Sequence, residues 1–315
     1  MAKPIIYTSE DTNGPGVALT GNIQNKLKQI LKRCLVDGYP GKPAAGWKMI
    51  HEHPEGFSMT NGIGIINFAS NQAGQSQTTA VVYLAETATD VSSAVIKGIN
   101  LSSGQFKADF NSITTRHLLA FNGTLRTLKN VRWCVVADDK TAIFLINAAD
   151  GYSQPVCSLY FGQFASDYFK DEAAFICAGG IINTINSATD NNLDAVSYLR
   201  NPKTGVVDQA NPFLKIYPYS RRSQVVETKN LDYFSEETEL SKALVHFDNG
   251  MCGRLRGLLY SDMLLGYGWK TSLLNLGVTN PQFNDILDFH NVGINIAFNR
   301  GYWGGCFVTD DEDYW

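Results

Sequence analysis

Apolar residues follow two different rhythms along this chain. In TGNIQNKLKQILKRCLVDG, Ile23, Leu27, Ile30, Leu31, Cys34 and Leu35 recur at helical spacing and make one stripe. The pattern predicts one amphipathic helix over about residues 22–36, with Lys26, Lys28, Lys32 and Arg33 on its solvated faces. Thr20 or Asn22 can cap its start, and Gly38 can supply a left-handed position after its end. Pro40 and Pro43 then forbid continuation. After residue 60 the rhythm changes to short apolar runs bounded by Gly, Asn, Asp or Ser. GIGIINFAS, TTAVVYLAE, VRWCVVA, TAIFLIN, VCSLYFGQF, AAFICAGGII, ALVHFD, RLRGLLYSD, NVGINIAF and GCFVTD read as strands, rich in β-branched and aromatic residues. Asp138-Asp139-Lys140 joins two of them as a tight hairpin.

Successive strands without intervening helical patterns predict a mainly-β fold. The expected architecture is an antiparallel β-sandwich or barrel with one N-terminal amphipathic helix. Residues 1–47 are expected to form an arm, helix and turn packed on a mainly-β body over 48–315. The weakly patterned stretch 182–212 reads either as a surface excursion or as a boundary dividing that body.

The stretch VDGYPGKPAAGW, residues 36–47, carries the glycines and lysine of a phosphate-binding loop, but its details oppose that reading. Val36 stands where the first glycine is required, and Pro43 follows Gly41-Lys42 where a hydroxyl residue is required. The helix also precedes the loop, so its negative dipole end faces the glycines. Gly38, Pro40, Pro43, Gly46 and Trp47 read instead as a structural joint that ends the helix and turns the chain. Trp47 is expected to anchor the helix by burying its indole. The helix is expected to pack on the β body through Ile23, Leu27, Ile30, Leu31 and Leu35.

Charged residues make up 18% of the chain against a usual quarter, and uncharged polar residues and glycine fill the gap. That composition suits a turn-rich β protein and often belongs to assemblies. A net charge of −4 gives no basic footprint for nucleic acid. The start MAKPIIYTSEDTNG lacks a secretory pattern, and no apolar run approaches the roughly 20 residues that span a bilayer. Cys34, Cys134, Cys157, Cys177, Cys252 and Cys306 are irregularly spaced, without C-x-x-C, and several lie in apolar strand patterns. They read as buried free thiols of a protein folded in a reducing cytoplasm.

Candidate chemistry is sparse. His51-Glu52-His53 could present two metal ligands on one side of a strand, but no third ligand is evident, and Glu52 and Glu55 around Pro54 favour an exposed loop. Asp190-Asn191-Asn192-Leu193-Asp194 opens like a calcium loop, yet Ala195 and Asn201 occupy the required glycine and glutamate places. Asp310, Asp311, Glu312 and Asp313 could offer paired carboxylates, though consecutive acids more often form a solvated turn. Aromatic residues, 11% of the chain, mostly alternate with polar ones and read as core. No hydrolase elbow, zincin or dinucleotide motif occurs. No catalytic, cofactor or metal residue is assigned.

One resemblance spans most of the chain. Its pieces, in order, are IIYTSEDTNGPGVALTG, the amphipathic helix, CLVDGYPGKPAAGW, WCVVADDKTAIFLI, SLYFGQFASDYFKDEAAFICAGG, GRLRGLLYSD and a closing strand ending in Trp315. Together they resemble virion structural proteins of tailed bacteriophages, a group described as tail or virion-associated proteins. The likeness is strongest in 4–47 and 131–180, while KMIHEHPEGFSMTNG and 182–212 depart from it. It implies a non-enzymatic structural subunit of the tail, neck or baseplate, without cofactors, made in the host cytoplasm and located in the virion. Its partners would be copies of itself and other virion proteins, with no nucleic acid and no membrane. A head decoration or collar protein remains an alternative, as does a carbohydrate-binding host-receptor module. The fibrous repeats or trimerisation stalk of a receptor module are not seen.

Overall fold

A computed structural model describes residues 3–16, 23–70, 79–100, 117–120, 131–148, 155–168, 174–179, 196–201, 204–206, 214–217, 241–247, 250–261, 294–299 and 305–315. Strand β1 (Ile5–Thr8) precedes the helix α1 (Ile23–Leu31). Strands β2 (Lys48–His53), β3 (Gly56–Thr60), β4 (Ile65–Ser70) and β5 (Thr79–Ala85) follow. A two-stranded ribbon of β6 (Thr87–Asp90) and β7 (Lys97–Ile99) comes next, then β8 (His117–Ala120). The first sheet has the order β2-β3-β4-β5-β8. The chain continues through β9 (Val131–Ala137), β10 (Thr141–Ala148), β11 (Pro155–Gln163), β12 (Ala165–Ser166), β13 (Phe175–Gly179) and β14 (Val196–Tyr198). It ends with β15 (Leu214–Tyr217), β16 (Ser241–Phe247), β17 (Gly250–Ser261), β18 (Ile294–Asn299) and β19 (Gly305–Thr309). The second sheet runs β1-β9-β10-β11-β13-β14 and the third β15-β16-β17-β19-β18, with β12 paired to β17. All these pairings are antiparallel, and no sheet of the described residues closes into a barrel. The fold is mainly β, with one short α-helix among the described residues.

The second sheet buries both faces, and its register shows how. Tyr7, Val135, Phe144 and Leu159 lie in one cross-strand row; Ile6, Val136, Ile143 and Tyr160 lie in the adjacent row. Successive residues of a strand point to opposite faces, so the two rows enter different cores. The first row joins Leu27, Ile30, Leu31, Cys34 and Leu35 of the helical segment with Phe57, Met59, Ile66 and Phe68 of the first sheet. The second row joins Ala243, Val245, Leu255, Leu258 and Val308 of the third sheet. Full burial of one such aliphatic or aromatic side chain contributes about 1.5–3 kcal/mol, so the doubly covered sheet carries much of the stability.

The helical stripe behaves as its spacing dictates where it is described. Leu27, Ile30, Leu31, Cys34 and Leu35 are buried, while the Ile23 side chain lies outside the described residues. Beyond Leu31 the winding differs from the expected α-helix to residue 36: Lys32–Asp37 forms a wider π-helical segment. Its terminal carbonyls find partners in the returning chain. Ala45 N donates to Cys34 O at 3.1 Å, and Gly46 and Trp47 amides donate to Leu35 O at 3.1 and 3.0 Å. Gly38 has φ 70° but ψ −178°, so it is not the left-handed helical cap expected of it. Glycine is required there because a Cβ would lie 2.8 Å from Ala44 N, at a φ that side chains disfavour. Lys26, expected in solvent, is buried, which its long aliphatic stem permits.

KMIHEH, expected as an exposed loop, is instead the edge strand β2, paired to β3. Its polar side chains conceal it, since pairing comes from the backbone ladder while both faces stay partly open. A bulge between Met49 and His51 reverses the facing of the strand around Ile50. Met49 thereby packs against the first core, and Glu52 meets Lys32 at 2.5 Å and Lys28 at 3.7 Å on the helix. Of the 182–212 stretch, the described residues place β14 at the edge of the second sheet.

Packing of α1 between two sheets predicts that Leu31→Ala lowers the unfolding free energy by about 2–5 kcal/mol, whereas Ile50→Ala, at the bulge, changes it by less than about 0.5 kcal/mol. Equilibrium denaturation of the two variants measures the contrast.

Candidate functional site

The joint is built from a tight turn. Pro40 fixes its own φ and Gly41 adopts φ 92°, the combination that a type II turn requires at its two central positions. Tyr39 and Lys42 exchange backbone hydrogen bonds of 2.9 and 2.8 Å across it. The N-terminal arm is then tied on. Tyr7 Oη donates to Pro43 O at 2.7 Å, Tyr39 Oη to Asp11 Oδ2 at 2.5 Å, and Asn13 Nδ2 to Pro40 O at 3.3 Å. Lys42 Nζ donates to Ile6 O at 2.7 Å and lies 3.8 Å from Asp11, so the lysine that suggested phosphate serves the arm. Gly46, at φ 106°, passes beside Asp139. Trp47 is 2% exposed, meets Phe161 edge-on at 5.2 Å between centroids, and donates its Nε1–H to Asp138 O at 3.0 Å. Its indole therefore anchors the joint to the second sheet, while its amide caps the helical segment.

Beneath Trp47 lies a buried charge cluster. The Asp138 carboxylate accepts from the amides of Lys140 and Thr141 at 2.9 and 2.8 Å, the local geometry of a hairpin. It also accepts from Arg256 Nη2 at 2.5 Å and Nη1 at 3.2 Å. Arg256 Nη1 reaches Thr141 Oγ1 at 2.9 Å, and the Arg256 amide donates to Tyr160 Oη at 3.3 Å. Tyr160 Oη and Thr141 Oγ1 both donate to Gln163 O, at 2.6 and 2.7 Å. The Trp315 indole lies over the guanidinium at 5.9 Å. Asp138 and Arg256 are 2% and 6% exposed, so each charge depends on the other for its compensation.

This arrangement neutralises charge and holds elements together. Burial pushes the Tyr160 phenol well above its ordinary range, and the same cause raises the thiols of Cys34 and Cys134. Cys34, Cys134, Cys177 and Cys252 are buried thiols, while the Cys157 and Cys306 side chains lie outside the described residues. His51 Nε2 lies 2.9 Å from Ser93 O, and His53 Nδ1 accepts from the Glu55 amide at 3.1 Å. Their rings stand 6.0 Å apart, and no group of three metal-ligating side chains occurs among the described residues. Asp311 caps the closing turn by accepting from Asp313 N at 3.0 Å, while Glu312 and Asp313 are exposed. Asp190–Asp194 lies outside the described residues.

Sequence reasoning places Trp47 and the hairpin but misses the Asp138–Arg256 pair, separated by 118 residues. The available signal is a charged residue inside the apolar run RLRGLLY. A second unforeseen clasp joins Arg200 to both carboxylate oxygens of Glu86, with Asn100 Nδ2 donating to Glu86 at 2.7 Å. No known family model matches the chain, and no curated protein matches it significantly.

Two outcomes follow from this geometry. Asp138→Ala strands a buried guanidinium and lowers stability by about 3–5 kcal/mol in equilibrium denaturation, as does Trp47→Ala through its lost volume. The second concerns pH. Burial raises the Tyr7, Tyr39 and Tyr160 phenols in the folded state, with the Tyr39–Asp11 hydrogen bond adding to the effect at Tyr39. Their contribution is full below the unfolded phenol pKa of about 10 and is lost as pH rises above it, because the unfolded chain then releases protons more readily. The part of the tyrosinate absorbance that comes from these three buried phenols should rise together with loss of the fold, in one cooperative alkaline step, while exposed phenols such as Tyr168 ionise without it.

Proposed function

We propose that this chain is a non-enzymatic structural subunit of a tailed-phage virion, associated with the tail, neck or baseplate. The observation that carries the reading is spatial. The two segments of strongest resemblance, 4–47 and 131–180, meet as one physical unit: β1 pairs with β9, Tyr7 enters the core beside Val135, and Trp47 bonds to Asp138. Among the described residues of these segments, Tyr7, Tyr39, Lys42 and Asp138 engage their polar groups in internal bonds that fix the shape of this unit. A sparsely charged β subunit suits contact with neighbours better than chemistry, because interface cores are depleted in charge.

The two covered faces of the second sheet lead us to infer a layered β-sandwich for the whole subunit. Its partners are copies of itself in a symmetric arrangement and other virion proteins. The β2 edge is poorly suited to strand-to-strand assembly, since its bulge and charges are devices that block such pairing. Mass spectrometry of purified particles should find the protein at a fixed ratio to the other tail components. Abundance in infected cells combined with absence from particles would overturn the reading in favour of an assembly factor or an enzyme.

A further inference from the structure

The segment after β19 is held differently from the strands around it. Beyond Thr309 it has no strand partner among the described residues. Glu312–Tyr314 makes a single 3-10 turn, closed by its own short-range bonds and by the Asp311 cap, with Glu312 and Asp313 facing solvent. Attachment rests chiefly on Trp315, which is 5% exposed and donates Nε1–H to Thr309 O at 2.5 Å. Its ring covers the Arg256 guanidinium and fills a notch at Gly257, where φ is 66° and a Cβ would fall 2.3 Å from the indole. Tyr314 adds a contact under the Lys242 ammonium, 5.0 Å from its ring.

A short segment with a solvated outer face and few buried anchors opens at a lower free energy than the sheets beneath it. Here one of those anchors is also the cover over a buried cation. We propose that residues 310–315 form a latch that opens locally, without unfolding the sheets, and gates access to the Arg256 guanidinium. Trp315 is the catch and Gly257 the notch that receives it.

Labelling with phenylglyoxal, mapped by mass spectrometry, tests the gate, with the exposed Arg254 and Arg33 as reference sites. Arg256 should label slowly in the native chain. Trp315→Ala and Gly257→Ala should each raise its labelling by about tenfold or more, and the double variant no further, since both release one catch. Hydrogen exchange in residues 131–148 should stay unchanged in these variants. Unchanged Arg256 labelling overturns the gate, and so does a rise matched by faster exchange throughout 131–148, which reports general unfolding. A native-chain measurement covers the case in which neither variant folds: the Tyr314 and Trp315 amides, bonded to Asp311 O and Glu312 O, should exchange faster than those of Ala45 and Trp47. Equal protection of the two pairs overturns the latch.

Discussion

A carboxylate and a guanidinium removed from water must compensate each other, or the fold loses several kilocalories per mole. Asp138 and Arg256 stand in that position, and the structure around them follows from the need to keep them paired. The hairpin amides of Lys140 and Thr141 fix the carboxylate. Thr141, Tyr160 and the Gln163 carbonyl extend the network across the second sheet. Trp47 closes it from the joint, and Trp315 closes it from the far end of the chain. A buried pair of this kind gives limited net stability compared with a well-packed apolar replacement, but it penalises any arrangement that separates its partners. It can therefore specify how the hairpin of the second sheet meets β17 of the third.

The covered faces of the second sheet supply the stability that the ion pair does not. Because Val135 and Val136 enter different cores, the central strands contain few polar positions and read as continuous apolar runs. The joint matters for the same reason. It brings α1 over one face of this sheet, ties down the arm that supplies the edge strand β1, and satisfies the last carbonyls of the helical segment in doing so. Polar side chains at the joint and the hairpin are thus engaged in maintaining shape.

Legibility in the sequence tracks how local the cause is. The helical stripe, the Asp138–Lys140 hairpin and the prolines of the joint each follow from a few neighbouring residues, so a short window of the chain suffices to reveal them. The strand β2 is not legible in this way, because KMIHEH has no apolar face of its own and its pairing depends on β3. Gly38 is visible as a required glycine, but the reason for it is the approach of Ala44, which helix-capping rules do not contain. The least legible features are the longest-range ones. Nothing near Asp138 announces Arg256, and nothing near Gly257 announces an indole from residue 315.

Trp47 and Arg256, which reach Asp138 from opposite sides of it in the sequence, act on one shared node. A double-mutant cycle of Trp47→Phe, which removes the indole donor, and Arg256→Met, which removes the guanidinium, measures this by equilibrium denaturation. A shared node predicts a coupling of about 0.5–3 kcal/mol between the two substitutions. Additivity within about 0.3–0.5 kcal/mol would contradict it, and would mean that the joint and the third sheet are held independently.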